Sequence, residues 1–166
     1  MANGLEKVYL CLGSNLGNRE ENLARAREFL AERVKIVKCS STYDTEPVGN
    51  SNQPRFLNMV CETRTALSPL GLLIVVKAIE NKLGRMPGPP NSPRTIDIDI
   101  LFYGDKMMDT PQLTIPHMRL RERAFVLVPL AEIVPELVDP VSKKTVMELL
   151  EKVEGKEGVT LRPVVK

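Results

Sequence analysis

Several signatures are missing from this chain, and each absence removes a class of function. No C-x-x-C pair occurs, which argues against a structural zinc site. Nothing reads G-x-x-x-x-G-K-[ST], so no Walker-type phosphate loop is encoded. No apolar run approaches the roughly 18–20 residues of a membrane helix. The start, MANGLEKVYLCLGSN, lacks the basic-then-apolar order of a secretory signal. A net charge of +2 is too small to mark a nucleic-acid footprint by itself. The cysteines, Cys11, Cys39 and Cys61, are odd in number and sit in strand-like runs. Buried free thiols in a reducing cytoplasm are expected.

The 166 residues suffice for one domain with a real core, and a 43% apolar, 27% charged composition is that of a globular chain. Along it, KVYLCL (7–12) reads as a buried strand that ends in the turn GSNLGN. Asn18 and Glu21 are spaced as a helix cap, and Leu23, Ala26, Leu30 and Val34 recur at helical intervals. Residues 34–43 are β-rich, and 44–54 have turn chemistry throughout. The segment 55–65 alternates, with Phe56, Asn58 and Val60 on one face and Leu57, Met59 and Cys61 on the other. Ser68 and Pro69 open a second helix whose stripe is Leu72, Val76, Ile79 and Leu83, with Gly84 as its stop. The stretch 85–93 has four prolines and a glycine, which predicts a mobile loop. A strand over 96–103 leads to a hairpin at Gly104–Asp105. Beyond it, short helical pieces interrupted by Pro129 and Pro135 and a last helix over 142–152 are expected.

Strand, helix, strand, strand, helix, strand and then a helical appendage is the split βαβ, or ferredoxin-like, order of an α+β protein. Both crossover helices then lie on one face of the sheet. Within PRTIDIDILFYG, Ile96, Ile98 and Ile100 would pack beneath those helices. Asp97 and Asp99 would project from the other face, as would Phe56 and Asn58. Two carboxylates on one strand face repel unless a hard divalent cation bridges them; magnesium suits carboxylate and phosphate oxygens. Arg85, Arg94, Arg119, Arg121 and Arg123 flank the strand in sequence, and guanidinium forks suit phosphates. Metal-holding carboxylates among arginines are the parts of a phosphoryl-transfer site. The GSNLGN turn precedes a helix and is read first as a strand-to-helix connection, second as an anion site. His117 is the only histidine, and Glu80 alone reads as a surface charge.

LGSNLG (12–17), STYDTEPVG (41–49), QPRFLN (53–58), PRTIDIDIL (93–101), LTIPH (113–117) and RAFVLVPLAEI (123–133) together resemble the 6-hydroxymethyl-7,8-dihydropterin pyrophosphokinases of folate biosynthesis. The resemblance runs over about residues 7–140. It implies transfer of the terminal diphosphate of ATP to the hydroxymethyl group of a reduced pterin, with two magnesium ions held by Asp97 and Asp99. It places Thr45, Val48, Phe56, Asn58, Asp97 and Phe125 at the pterin. Gln53, Glu80, Arg85, Arg94, Ile100, Thr114, His117 and Arg123 fall at ATP-binding positions, and Arg85, Arg94, Asp97 and Asp99 carry catalysis. The chain departs from the familiar enterobacterial form at Phe56, where a tyrosine stands there, and at Met118, where an aromatic does. Its 85–94 loop is about one residue shorter, with Pro87 and Asn91 replacing an arginine and a tryptophan. A monomeric cytoplasmic enzyme with small-molecule substrates and no nucleic-acid or membrane partner is expected. Two other readings stay open: a split βαβ RNA-binding module, which would show a basic aromatic face, and a ligand-sensing domain without chemistry.

Overall fold

The computed structural model describes residues 4–47, 53–84 and 94–162. The first strand, β1 (Glu6–Ser14), runs through the middle of the sheet, and α1 (Arg19–Ala31) follows it. The turn between them satisfies itself. Asn18 Oδ1 accepts from the Glu21 amide at 3.1 Å, while Asn22 Nδ2 donates to the Leu16 carbonyl at 2.9 Å. The β-rich stretch is two short strands, β2 (Lys35–Cys39) and β3 (Tyr43–Thr45), both paired with the long β4 (Phe56–Thr65). Next come α2 (Pro69–Lys82), capped by Ser68, and β5 (Asp97–Tyr103). The strand order β5-β1-β4-β3, with β2 beside β4 and every pairing antiparallel, is the ferredoxin-like arrangement. A late strand, β8 (Val159–Leu161), extends the sheet beyond β3.

Two cores sandwich this sheet. Leu10, Leu12, Leu57, Met59, Ile98 and Ile100 pack against Leu23, Ala26 and Leu30 of α1 and Leu72, Val76 and Ile79 of α2, so both predicted stripes are buried as expected. On the other face Tyr9, Cys11, Val60, Leu101 and Phe102 are covered by α3 (Ala124–Ile133) and α4 (Val146–Lys152). The appendage therefore closes part of the second face and leaves the end bearing the aspartates open. A register shift makes this division possible: Tyr9 pairs with Phe102 but Leu10 with Ile100, so Leu101 is an extra residue in β5. Leu101 and Phe102 consequently both reach the second core.

Four local expectations are corrected. Cys39 and Cys61 are in register across β2 and β4, with Cα atoms 4.1 Å apart, and form a disulfide; only Cys11 is a free, buried thiol. Parity of the cysteine count could not reveal that two of them oppose each other. Pro129 lies inside α3 rather than breaking it. Burial of that helix outweighs the backbone bond that proline removes. After the Gly104–Asp105 turn the chain does not pair back on β5; β6 (Met108–Asp109) pairs with β7 (Thr114–Ile115) instead. The last helix starts at Val146, where Thr145 and Glu148 form a reciprocal capping box. Val48, Arg85, Pro87, Asn91 and the predicted mobile loop 85–93 lie outside the described residues.

Candidate active site

Strand pairing aligns the polar residues of three strands into rows. Gly13 sits between Asp97 on β5 and Asn58 on β4, and Cys11 sits between Asp99 and Val60. Alternation sends Asp97, Asp99 and Asn58 to the face that α3 and α4 leave open. There they line a cavity of about 550 Å³, its open mouth included, together with Thr45, Phe56, Arg94 and Phe125. The Asn58 Nδ2 donates to Thr45 Oγ1 at 2.6 Å, which orients the amide and leaves its Oδ1 as an acceptor and its second Nδ2 hydrogen as a donor for a ligand edge. Phe125 comes from the first turn of α3, and the Arg123 guanidinium lies 5.3 Å from its ring centroid.

The floor of this cavity requires a residue without a side chain. A Cβ on Gly13 would stand 2.5 Å from Asn58 Oδ1. Asn15, also buried, clasps the cavity's two edges: its Nδ2 donates to Gln53 Oε1 at 2.9 Å, and its Oδ1 accepts from the Arg94 amide at 2.8 Å. Arg94 Nη1 donates in turn to Asp97 Oδ2 at 3.1 Å. Desolvation and the neighbouring Asp97 charge push the Asp99 carboxyl up to about 7, with Arg123 opposing. The carboxylates are thus a charge-strained pair of hard oxygen donors on one strand, which fits a divalent cation.

A second groove, of about 720 Å³ with its open side included, lies on the far side of β5. Ile98, Ile100, Thr114 and His117 line it, with Lys77 from α2 and Arg119 beyond. The peptide before Pro116 is cis, and the His117 amide donates to the Leu101 carbonyl at 3.0 Å. His117 Nδ1 accepts from the Arg119 amide at 3.2 Å, so its proton resides on Nε2. Desolvation and Arg123 lower its pKa to about 4, which keeps the ring a neutral donor. Asp99 lines both spaces, so the two cavities meet at the carboxylate pair.

Most residues singled out in the sequence gather here. Thr45, Gln53, Phe56, Asn58, Arg94, Asp97, Asp99, Arg123 and Phe125 line the first cavity, and Asp99, Ile100, Thr114 and His117 the second. Gln53 thus falls at the first cavity and not in the second. Glu80 lies behind β5, fully buried, and its Oε2 accepts from the Ile98 amide at 2.8 Å while Lys77 sits 3.3 Å from Oε1. It braces the strand between its two aspartates and lines neither cavity. Cys11 and Lys77 carry no signal of a site in the sequence, whereas Gly13 and Asn15 belong to the GSNLGN turn, whose second reading is an anion site. A glycine inside a strand is itself a sign of close backbone approach, and Gly13 could have been found that way.

The profile of the 7,8-dihydro-6-hydroxymethylpterin-pyrophosphokinase family matches residues 9–135. A Bacillus subtilis protein named 2-amino-4-hydroxy-6-hydroxymethyldihydropteridine pyrophosphokinase is 47% identical over 128 residues, covering 76% of this chain and 77% of that protein. A Methylorubrum extorquens protein of the same name is 44% identical over 152 residues, covering 90% and 95%. The Pneumocystis carinii folic acid synthesis protein fol1 is 42% identical over 149 residues, but these cover 89% of this chain and only 20% of that longer protein. The fold likewise matches a Plasmodium falciparum HPPK-DHPS crystal structure at TM-score 0.78 and 19% identity, over 98% of this chain and 47% of that one. The profile spans β1 through α3, the elements that build both cavities and the carboxylates between them. On that match and those identities, the chain belongs to the 7,8-dihydro-6-hydroxymethylpterin-pyrophosphokinase family.

Proposed function

We propose that the chain transfers the terminal diphosphate of ATP to the hydroxymethyl group of 6-hydroxymethyl-7,8-dihydropterin, giving AMP and the pterin diphosphate, as a step of folate biosynthesis. The observation that carries this reading is the meeting of two cavities at Asp99. One is framed by two phenylalanines and an amide; the other runs along the β5 backbone and ends at a neutral imidazole.

In this reading the first cavity takes the pterin. Phe56 and Phe125 hold the flat bicycle, and the Asn58 amide, fixed by Thr45, answers its alternating donors and acceptors. Val48 is proposed to serve the pterin as well. The second cavity takes ATP, with Ile100 and Thr114 along the adenine and His117 Nε2–H donating to a phosphate oxygen. Arg94 and Arg123 flank the carboxylates and would steady the transferring group; Arg85 and Glu80 are expected to serve the nucleotide, Glu80 through the strand it braces.

Asp97 and Asp99 would hold magnesium, two ions in the full reading, which supplies charge neutralisation and orientation of the phosphates. The protein's own contribution is alignment. Asn58, Thr45 and the phenylalanines turn the acceptor hydroxyl toward the junction, while Arg94, Arg123 and His117 hold the phosphates at it. Positioning and preorganised charge account for most of the acceleration in such transfers. The same reading treats residues 1–166 as one domain that acts as a cytoplasmic monomer.

Mixing the protein with ATP, magnesium and the hydroxymethyl-dihydropterin tests the proposal. AMP and pterin diphosphate are expected. ADP in place of AMP would make it a single-phosphoryl kinase, and no turnover of either kind would reject the reading. A basic sheet face would favour RNA binding instead; here that face carries two aspartates.

A further inference from the structure

Three guanidinium groups converge on one carboxylate behind the proposed acceptor cavity. Arg55 Nε bonds to Asp44 Oδ1, while Arg162 Nη1 and Arg19 Nη1 lie 3.4 and 3.9 Å from Asp44 Oδ2. They come from three places: the start of α1, the segment entering β4, and the residue after β8. Each arginine also grips a second point. Arg19 Nη1 donates to the Arg55 carbonyl at 2.9 Å, Arg55 Nη2 to the Gly158 carbonyl at 3.2 Å, and Arg162 Nη2 to Glu20 Oε1 at 2.9 Å. None of the four residues lines the cavity.

Their neighbours in sequence do. Asp44 precedes Thr45, the partner of the Asn58 amide, and Arg55 precedes Phe56; Thr45 and Phe56 are paired across β3 and β4. Strand alternation sends the Asp44 side chain to the α1 side of the sheet and the Thr45 hydroxyl to the cavity. β8 holds β3 from its other edge, through the Thr45–Val159 pairing and the Glu46 amide to the Gly158 carbonyl at 3.2 Å. The β3–β4 pair at the cavity is therefore fastened from behind by Asp44 and from the side by a strand that lies past the end of the matched family profile at residue 135.

We infer that Asp44, with Arg19, Arg55 and Arg162, is a positioning cluster for the acceptor site, and that through Arg162 the strand β8 belongs functionally to that site. The inference rests on the pterin reading above. It makes a selective demand: loosening the cluster should disturb the ligand held by Thr45, Asn58 and Phe56 and leave the nucleotide groove, on the opposite edge of the sheet, unaffected.

The test uses full-length Asp44→Asn and Arg162→Met, with pterin and a magnesium-bound non-hydrolysable ATP analogue titrated separately by calorimetry. KM for each substrate and kcat follow on the same samples. Pterin Kd and KM should rise about five- to tenfold, the scale of losing a small ion-pair network, with nucleotide affinity within about twofold of the parent. Arg162→Lys, which keeps the charge, should fall between. Arg162 follows the last strand, and Arg162→Met carries the test if Asp44→Asn does not fold. Unchanged pterin affinity in Arg162→Met, or a parallel loss for both ligands, would overturn the inference. A parent protein that binds no pterin at all would instead overturn the reading beneath it.

Discussion

Gly13 and Asn58 are paired across β1 and β4, and the glycine's missing side chain is the space that the Asn58 amide oxygen occupies. Gly13→Ala should therefore push the amide off Thr45 and crowd Phe56, whose Cδ1 stands 3.4 Å from the added carbon. Loss of one buried hydrogen bond costs about 1–3 kcal/mol, so pterin affinity should fall at least about fivefold. Fluorescence titration checks this, with ATP-analogue affinity as the control that should not move.

Asp99→Asn should separate stability from chemistry. The substitution removes a charge that burial and Asp97 disfavour, so the ligand-free protein should melt a few degrees higher, on the scale of about 2–4 °C per kcal/mol. Turnover should be nearly abolished, because a neutral amide replaces a cation-binding carboxylate. Scanning calorimetry and an AMP-release assay report the two effects. A ligand-free melting point that falls would refute the strain, and AMP at the parent rate would refute the role.

The same carboxyl sets a pH dependence. In the unfolded chain Asp99 ionises above about 3.8, whereas in the fold it holds its proton up to about 7. Its contribution to stability therefore declines as pH rises from about 4 to 7 and levels off beyond. A cation needs the ionised form, so the rise in melting temperature on adding magnesium and ATP analogue should be small near pH 5.5 and larger near pH 8. An equal gain at both pH values would contradict the raised carboxyl.

His117 carries the opposite sign. Its folded pKa of about 4 lies below the usual 6.5, so the stability it confers is complete above about 6.5 and drains away as pH falls toward 4. Nitrogen NMR of the single histidine should show a neutral ring protonated on Nε2 at pH 6. A signal of the doubly protonated ring there would contradict the Arg119 amide contact.

Asp139 is fully buried and takes Arg121 Nη2 at 3.0 Å, the Ser142 hydroxyl at 2.7 Å and the Val141 amide at 3.0 Å. Asp139→Ala strands a partly buried arginine, and breaking such a pair should cost about 2–4 kcal/mol. Urea denaturation measures it. The turn that Arg121 anchors leads directly to Arg123 and Phe125, so turnover is expected to fall as well.

The sequence is most legible where a period and a charge agree. The IDIDI alternation disclosed both the buried isoleucines and the cavity-facing aspartates, because a strand with one apolar face has only one way to lie. The helix stripes and the Ser68 cap were legible for the same reason. What escaped depends on partners distant in sequence. Glu80 looks like a surface charge until α2 is laid against β5, and Cys39 meets Cys61 only through a register that no count supplies. Pro129 misleads because local propensity weighs less than burying Val126, Leu127 and Leu130. Asn15, inside a turn motif plain in the sequence, earns its place only through Gln53 and Arg94.

The extra residue at Leu101 divides β5 into two halves that are out of phase with each other. Before it, odd-numbered positions face the open end; after it, Phe102 joins Leu101 under α3 and α4 while Tyr103 turns back to the first core. Changes in length beyond the bulge can be absorbed without rotating Asp97 and Asp99. A single residue gained or lost between Glu80's anchor at Ile98 and Leu101 would instead set the two carboxylates and the Phe102 side chain of the second core at odds. The strand behaves as a mechanical coupling with one slip joint, placed so that the appendage can drift while the chemistry stays aimed.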